Sequence, residues 1–95
     1  MTTKNKIPDF LKHGEGHCDV SMTPPVAIGG SKVTALRMRE PTVRDNLMME
    51  KTSGSEAEQE IALMANLCEI TPDEVKGLTL RNYKRLQAAV TSFLD

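Results

Sequence analysis

Aromatic residues are scarce in this sequence of 95 residues, at 3% of the total, and tryptophan is absent. A chain of this length forms about one domain. Its core must be built from leucine, isoleucine, valine, methionine and alanine. Small domains bury little surface and are only marginally stable. We therefore expect contacts with a partner or with further copies of the chain to add to its stability.

Long apolar runs are also absent. No stretch of about 18 apolar residues occurs, so we expect no transmembrane helix. The segment 1–8 lacks the apolar stretch of a secretory signal. Cys18 and Cys68 are the only cysteines, and we interpret them as reduced thiols. These features predict a protein that stays in the cytoplasm and has no membrane partner.

The sequence has little that could form a catalytic or metal site. Its only histidines are His13 and His17, both in a segment that we predict to be mobile and that suits catalysis badly. Together with Cys18 and Cys68 they could supply metal ligands, but their spacing meets only half of a zinc motif. The acidic run around Glu58 is more simply a solvated first turn of a helix. We predict no catalytic residue, no metal and no cofactor, and thus no enzyme.

The first half of the chain predicts an arm followed by a β-hairpin. Residues 1–17 show no sustained period and are interpreted as a flexible N-terminal arm. Alternation of apolar and polar residues then indicates a hairpin over about residues 18–39, with Gly29-Gly30 at the turn. Pro24-Pro25 interrupts the first strand or places it at an edge. The alternation slips between Ala35 and Leu36, which predicts a bulge there.

The chain after Glu40 predicts helices with clear start signals. A hydroxyl residue is followed three positions later by a carboxylate at Thr42–Asp45, Ser55–Glu58 and Thr71–Glu74, and Thr79 opens a last helix. The inner stripe of that last helix comprises Leu80, Tyr83, Leu86, Val90 and Phe93 or Leu94. The predicted fold is α+β, an N-terminal β-hairpin followed by a small bundle of three to four helices, with residues 18–95 as one domain.

Five sequence segments, in order and at matched spacing, resemble the short tail-assembly chaperones of Mu-like and P2-like contractile-tailed phages. The clearest is Arg39-Glu-Pro-Thr-Val-Arg-Asp45, where the hairpin meets the first helix. The others are residues 30–39, 55–65 and 67–75 and the closing helix at 83–94. The resemblance covers about residues 20–95. Asn82 departs from the family's pattern, which has an aspartate before the tyrosine.

The resemblance implies a chaperone that binds the long helical tape-measure protein before the tail tube closes around it. Such chaperones keep the tape measure soluble and help bring tail-tube subunits to it. It also implies that the protein works in the host cytoplasm and is missing from the mature virion. No catalytic residues transfer from the family.

A methionine-rich helical surface is compatible with this role, because flexible methionine side chains suit varied apolar partners. We predict a partner-binding surface near four apolar residues with an arginine group at its rim. Its members are Met48, Met49, Leu63 and Leu67, with Arg37, Arg39 and Arg44.

Two alternatives remain at this point. The first is a non-enzymatic interaction module that forms a homo-oligomer through the edges of its hairpin. The second, a weak nucleic-acid binder, rests on basic residues that gather near the second predicted strand and in the last helix. Aromatic residues for base stacking do not interleave with them. The net charge of −1 and the pI near 6.1 also give no general attraction to nucleic acid.

Overall fold

The computed structural model describes residues 7–94, which form a three-stranded antiparallel sheet followed by four helices. This confirms the predicted α+β class. The strands are β1 (Leu11–Gly14), β2 (His17–Ile28) and β3 (Ser31–Arg39). The helices are α1 (Val43–Lys51), α2 (Glu56–Cys68), α3 (Pro72–Lys76) and α4 (Leu80–Phe93).

The hairpin of β2 and β3 is confirmed. Its strands pair antiparallel, and Ile28 lies opposite Ser31 across a two-residue turn. Gly29 and Gly30 both have positive φ, at 59° and 84°. Two successive positive φ angles match the right-handed twist of the flanking strands, and glycine adopts them without steric cost.

The bulge predicted between Ala35 and Leu36 is wrong, because these residues pair in regular register with Ser21 and Val20. The irregularity lies in β2 instead, between Ser21 and Val26. There the four residues 22–25 face the single residue 34, which separates the paired Val33 and Ala35. The two prolines in this stretch offer no N–H to the ladder, so regular pairing cannot continue through it.

Asn82 of α4 supplies hydrogen bonds to this irregular stretch. Its Oδ1 accepts a hydrogen bond of 2.8 Å from the N–H of Thr23. Its Nδ2 donates one of 2.9 Å to the carbonyl oxygen of Pro24. Asn82 is fully buried. The interrupted backbone is thus satisfied from inside the core rather than by water.

The arm predicted for residues 1–17 needs correction where the structure describes it. Leu11–Gly14 form the edge strand β1, which pairs with β2, and the Leu11 side chain is buried. Glu15-Gly16 is the two-residue turn between them, with Gly16 at a φ of 77°. Glycine is favoured where the second central residue of a turn needs a positive φ, so Gly16 is the local signal that could have predicted this turn and with it β1. Residues 1–6 and Asp95 lie outside the described residues.

All four predicted helix starts are confirmed. Thr42, Ser55 and Thr71 each accept a hydrogen bond from the backbone N–H three residues later, and the acidic residue at that position accepts one from the N-cap N–H. Thr79 caps α4 by accepting from the N–H of Asn82, without the reciprocal bond. These hydrogen bonds satisfy backbone donors that a helix leaves free at its start.

The core lies between one face of the sheet and the helices α2, α3 and α4. It comprises Leu11, Cys18, Val20, Met22, Val26, Leu36, Met38, Met64, Ala65, Leu67, Cys68, Val75, Leu86 and Ala89. One member of the predicted α4 stripe lies elsewhere, because Leu80 is 77% exposed. Side chains two positions apart on a helix point in directions about 160° apart. Because Asn82 is the first-turn residue that faces the sheet, Leu80 points away from it.

Candidate functional site

Helix α1 is held to the rest of the protein mainly by polar contacts. Asp45 is its only buried residue. The carboxylate of Asp45 accepts two hydrogen bonds from the Arg39 guanidinium, at 2.7 and 2.8 Å. It also accepts from the backbone N–H of Thr42 at 2.9 Å and from Asn66 Nδ2 of α2 at 3.2 Å. The end of β3, the start of α1 and the last turn of α2 therefore meet at one carboxylate.

The same contacts determine the charge state of Asp45. The hydrogen bonds from Arg39, followed by those from Thr42, hold the pKa of this carboxyl well below its usual range, although burial acts in the opposite direction. A planar guanidinium that binds a carboxylate through two parallel hydrogen bonds is a strong, directional contact. Asp45 therefore remains ionised and fixes the orientation of α1.

The outer side of α1 carries exposed apolar side chains. Val43, Leu47 and Met48 are among the large apolar residues that the structure leaves exposed, and Leu47 and Met48 are 53% and 59% exposed. Met49 is half-buried and turns towards α2. Because the core contacts of α1 are polar, most of its apolar surface remains available to another molecule.

A groove of about 650 Å³ opens between α1, α2 and α4. Its apolar lining comprises Met49, Leu63, Met64 and Val90. Its polar lining comprises Glu50, Glu56, Gln59, Glu60, Gln87 and Thr91. A smaller groove of about 170 Å³ between α1 and α2 shares Met49 and Leu63 and adds Met48. The two grooves thus adjoin and share the apolar side chains of Met49 and Leu63.

Glu60 is held in place inside the larger groove. Its Oε1 accepts hydrogen bonds from the hydroxyl of Tyr83 and from Nε2 of Gln87, both on α4. Burial, followed by the hydrogen bond to Glu60, raises the pKa of the Tyr83 hydroxyl. The Tyr83 hydroxyl therefore stays protonated and donates to Glu60, and this hydrogen bond links α4 to α2 across the groove.

The described residues offer little for catalysis or metal binding. Within residues 7–94, no three His, Cys, Asp or Glu side chains are grouped so that they could hold a metal ion. Cys18 and Cys68 are buried free thiols. Burial raises the pKa of both, to about 12 for Cys68, and a protonated, buried thiol is a poor nucleophile. The arrangement suits binding rather than chemistry.

Comparison with known families decides the identity. Residues 20–95 match the family described as "Phage tail assembly chaperone proteins, E, or 41 or 14". The chain belongs to the phage tail assembly chaperones. No curated protein and no solved structure matches it. As a tail assembly chaperone it is a non-enzymatic protein whose partners are phage tail proteins.

Among residues 7–94, none of the helices combines the length and the apolar character that a membrane crossing requires.

The structure brings together three of the four apolar residues predicted for the partner-binding surface of the chaperone. Met48, Met49 and Leu63 line the adjoining grooves. Leu67 is a correction, because it is 1% exposed and belongs to the core. On α2 it lies one turn beyond Leu63, where the helix packs on β3, so its side chain is covered by the sheet.

The predicted arginine rim does not line these grooves: Arg39 reaches the smaller one only through Asp45, and Arg37 and Arg39 lie beside Leu67 instead. Arg37 pairs with Asp19 on the open face of the sheet, with a distance of 2.8 Å from Nε to Oδ1. Arg39 is bound to Asp45, and Arg44 is exposed. Neither groove lining contains any of the three. The charged residues of the larger groove are carboxylates, so the sign of the charge there is opposite to that of the predicted rim.

Sequence reasoning missed two parts of this surface in the chaperone. The sequence predicts only a solvated first turn for Glu56 and Glu60, and nothing in the sequence alone shows that α1 and α4 lie beside them. Val43 and Leu47 were not singled out. The sequence does carry a signal for Val43 and Leu47. Because Asp45 is assigned to the capping box, α1 has no strong apolar stripe that could pack against the core.

Proposed function

We propose that this protein is a short tail-assembly chaperone that binds the tape-measure protein of its phage, keeps it soluble and helps bring tail-tube subunits to it. It does so in the host cytoplasm before the tail tube closes, and it is absent from the finished virion. Membership of the phage tail assembly chaperone family supports a role in tail assembly. The observation that carries the proposal is the exposed apolar side of α1 beside the groove that α1 forms with α2.

The exposed side chains suit a client with apolar helical stripes. Large apolar residues that lie together on a surface mark sites of protein interaction. Leu47 and Met48 are both more than half exposed, and Met48 lies at the entrance to the smaller groove together with Met49. Methionine side chains adapt to irregular apolar surfaces, which suits a client whose stripe varies along its length.

The test is co-expression with the tape-measure protein of the same phage, followed by a pull-down on this chain. We expect the tape-measure protein to be insoluble alone and soluble in complex with this chain. A variant with Leu47→Asp and Met48→Asp should remain folded, because both side chains are exposed, and should lose the complex.

A matched control adds the same two negative charges on the sheet, through Ser31→Asp and Thr34→Asp, both at exposed positions. It should bind the tape-measure protein as the unchanged chain does. A folded, unchanged chain that leaves the tape-measure protein insoluble would remove the proposal. Equal binding by the two variants would show that α1 is not the contact surface.

A second candidate is a homo-oligomer that pairs through the edges of its sheets. The sheet order β1-β2-β3 leaves the outer side of β3 without a partner strand among residues 7–94, and an open strand edge is a template for a further strand. Light scattering after size-exclusion chromatography tests this candidate. A stable oligomer that does not interact with the tape-measure protein would favour it over the chaperone.

A further inference from the structure

We propose that the groove between α1, α2 and α4 takes one amphipathic helix of another protein, with an apolar stripe flanked by lysine or arginine. This inference rests on the proposed function and deepens it by stating the chemistry of the client segment. The sequence predicts arginines at the rim of the partner-binding surface. The groove proposed here carries carboxylates instead, so the charge of the surface is the reverse of that prediction.

The groove has the form that an amphipathic helix requires. Three helices border an opening of about 650 Å³, and Met49, Leu63 and Val90 present half-buried apolar side chains in it. An amphipathic helix binds such a groove by inserting residues at helical spacing. Met64 lies beneath them in the core, so the floor is anchored while Met49 can adapt to the inserted side chains.

The charge of the groove is of one sign. Its ten lining residues include Glu50, Glu56 and Glu60 and no lysine, arginine or histidine. Glu50 and Glu56 are exposed, and within residues 7–94 neither has a hydrogen bond or an ion pair through its side chain. Both hydrogen bonds to Glu60 end on Oε1, which leaves its other oxygen for a ligand.

These carboxylates select the charge of the occupant. A helix with lysine or arginine beside its apolar stripe would place cations against free carboxylates, whereas acidic flanks would repel them. Like-charge contacts at an interface discriminate against the wrong partner, while attractive contacts favour the right one. A basic amphipathic helix is therefore the occupant that both the shape and the charge favour.

The experiment uses the full chain and two synthetic peptides of equal length, labelled with a fluorophore. Both carry the same leucine stripe at i, i+3, i+4 and i+7, flanked by lysine in one and by glutamate in the other. Fluorescence anisotropy measures their binding at low and high salt. We expect the lysine peptide to bind about tenfold more tightly at low salt, as two partly exposed ion pairs would give, and the preference to shrink at high salt.

Two variants locate the effect. Glu50→Gln with Glu56→Gln removes two groove charges without touching the core, and it should abolish most of the preference for the lysine peptide. Glu15→Gln with Glu40→Gln removes two exposed charges elsewhere and should retain it. Circular dichroism and thermal unfolding check that both variants are folded.

Each other result overturns the inference. Equal affinity of the unchanged chain for both peptides, or no binding of either, excludes a basic client in this groove. Equal loss of the preference in both variants would assign it to net charge rather than to the groove. A chain that dimerises, with the dimer lost on Leu63→Glu, would assign the groove to a second copy.

The proposed function fails separately. If Glu50→Gln with Glu56→Gln still solubilises the tape-measure protein and the unchanged chain shows no peptide preference, the inference is wrong and the chaperone function stands. If the unchanged chain prefers the lysine peptide but leaves the tape-measure protein insoluble, the groove chemistry stands and the proposed client is wrong.

Discussion

Asp45 combines two functions that proteins often divide between residues. It completes the capping box of α1 with Thr42, and it receives the Arg39 guanidinium and the Asn66 amide. Its side chain is 8% exposed, whereas that of Arg39 is 38% exposed. A carboxylate that is buried and fully hydrogen-bonded is costly to neutralise. Much of the attachment of α1 therefore depends on the charge of one residue.

The lowered pKa of Asp45 predicts a defined pH dependence. Because the folded pKa lies below the unfolded value of about 3.9, the stability it contributes is fully present above about pH 4 and is lost as the pH falls below it. We expect Asp45→Asn to lower the free energy of unfolding at pH 7 by about 1–3 kcal/mol. In urea titrations, this deficit should shrink at pH 3.

Asp9→Asn is the control, because Asp9 is exposed. It should change the free energy of unfolding by less than about 0.5 kcal/mol. Equal effects of the two substitutions at pH 7 would show that the Arg39 and Thr42 contacts do not stabilise the fold.

Asn82 predicts a second pH dependence, which appears once its amide is replaced by a carboxyl group. Its amide both accepts from Thr23 and donates to Pro24, and a carboxylate cannot donate. Asn82→Asp should therefore destabilise the protein at pH 7 by about 1–3 kcal/mol. Burial beside a carbonyl raises the folded pKa of the introduced carboxyl, and its protonated form can donate again.

The deficit of Asn82→Asp should therefore be smaller at pH 4.5 than at pH 7, as measured by urea unfolding. Asn82→Ala loses both hydrogen bonds at every pH, so its deficit should not narrow in the same way. A deficit of Asn82→Asp that is constant between the two pH values would contradict the donor role of the amide.

Among the elements, α1 and β1 differ in how they are attached. Helix α1 contacts mainly α2 and buries no apolar residue, so its position depends on directional polar contacts. Strand β1 is short, but it buries Leu11, and His13 at its other end donates to or accepts from Ser92 of α4 at 2.7 Å. Strand β1 is therefore attached to the core by a buried apolar side chain, whereas α1 lies on the outside of the core.

This attachment predicts different effects for two neighbouring residues of β1. Leu11→Ala should lower the free energy of unfolding by about 2–3 kcal/mol, because it opens a cavity in the core. Lys12→Ala, at an exposed position of the same strand, should change it by less than about 0.5 kcal/mol. Urea unfolding measures both, and equal small effects would mean that this segment behaves as a flexible arm after all.

At the scale of the whole molecule, the helices and the sheet carry different surfaces. The open face of the sheet bears the ion pair between Arg37 and Asp19. The hydrogen bond from Arg37 lowers the pKa of the Asp19 carboxyl. The helical side bears the apolar groove with its three carboxylates. On α4, Arg85 stacks on Phe10 and donates to the Ser21 carbonyl, so part of the basic charge is engaged within the protein rather than presented to a nucleic acid.

The two buried thiols report on the integrity of this core. Because burial raises the pKa of Cys18 and Cys68, the native protein should react slowly with a thiol-specific disulfide reagent at pH 8. Both thiols should react at once in denaturing guanidinium chloride. An exposed thiol introduced by Ser53→Cys should react rapidly in the native protein. Fast native labelling of the unchanged chain would show that the core opens readily.

Local signals in the sequence were sufficient for most elements. Each helix start depends on residues three positions apart, and the Gly29-Gly30 turn depends on two neighbours, so these contacts form wherever the rest of the chain lies. Strand β1 was missed because only Leu11 in it is apolar, and period-two alternation cannot be recognised from one residue. The bulge was predicted on the wrong strand. The alternation of apolar and polar residues slips at Ala35, but the extra residues lie on the opposite strand, between Ser21 and Val26.

The sequence by itself determined the fold class, the helix starts, the hairpin turn and the family, because each of these depends on short spacings that the chain carries without further context. Only the tertiary structure decided which apolar residues remain exposed. It buried Leu67 under the sheet, left Leu47 and Met48 outside, and gathered carboxylates from two helices around one groove. Those outcomes depend on how distant segments pack against each other, and packing assigns burial and neighbouring charge that no local spacing contains.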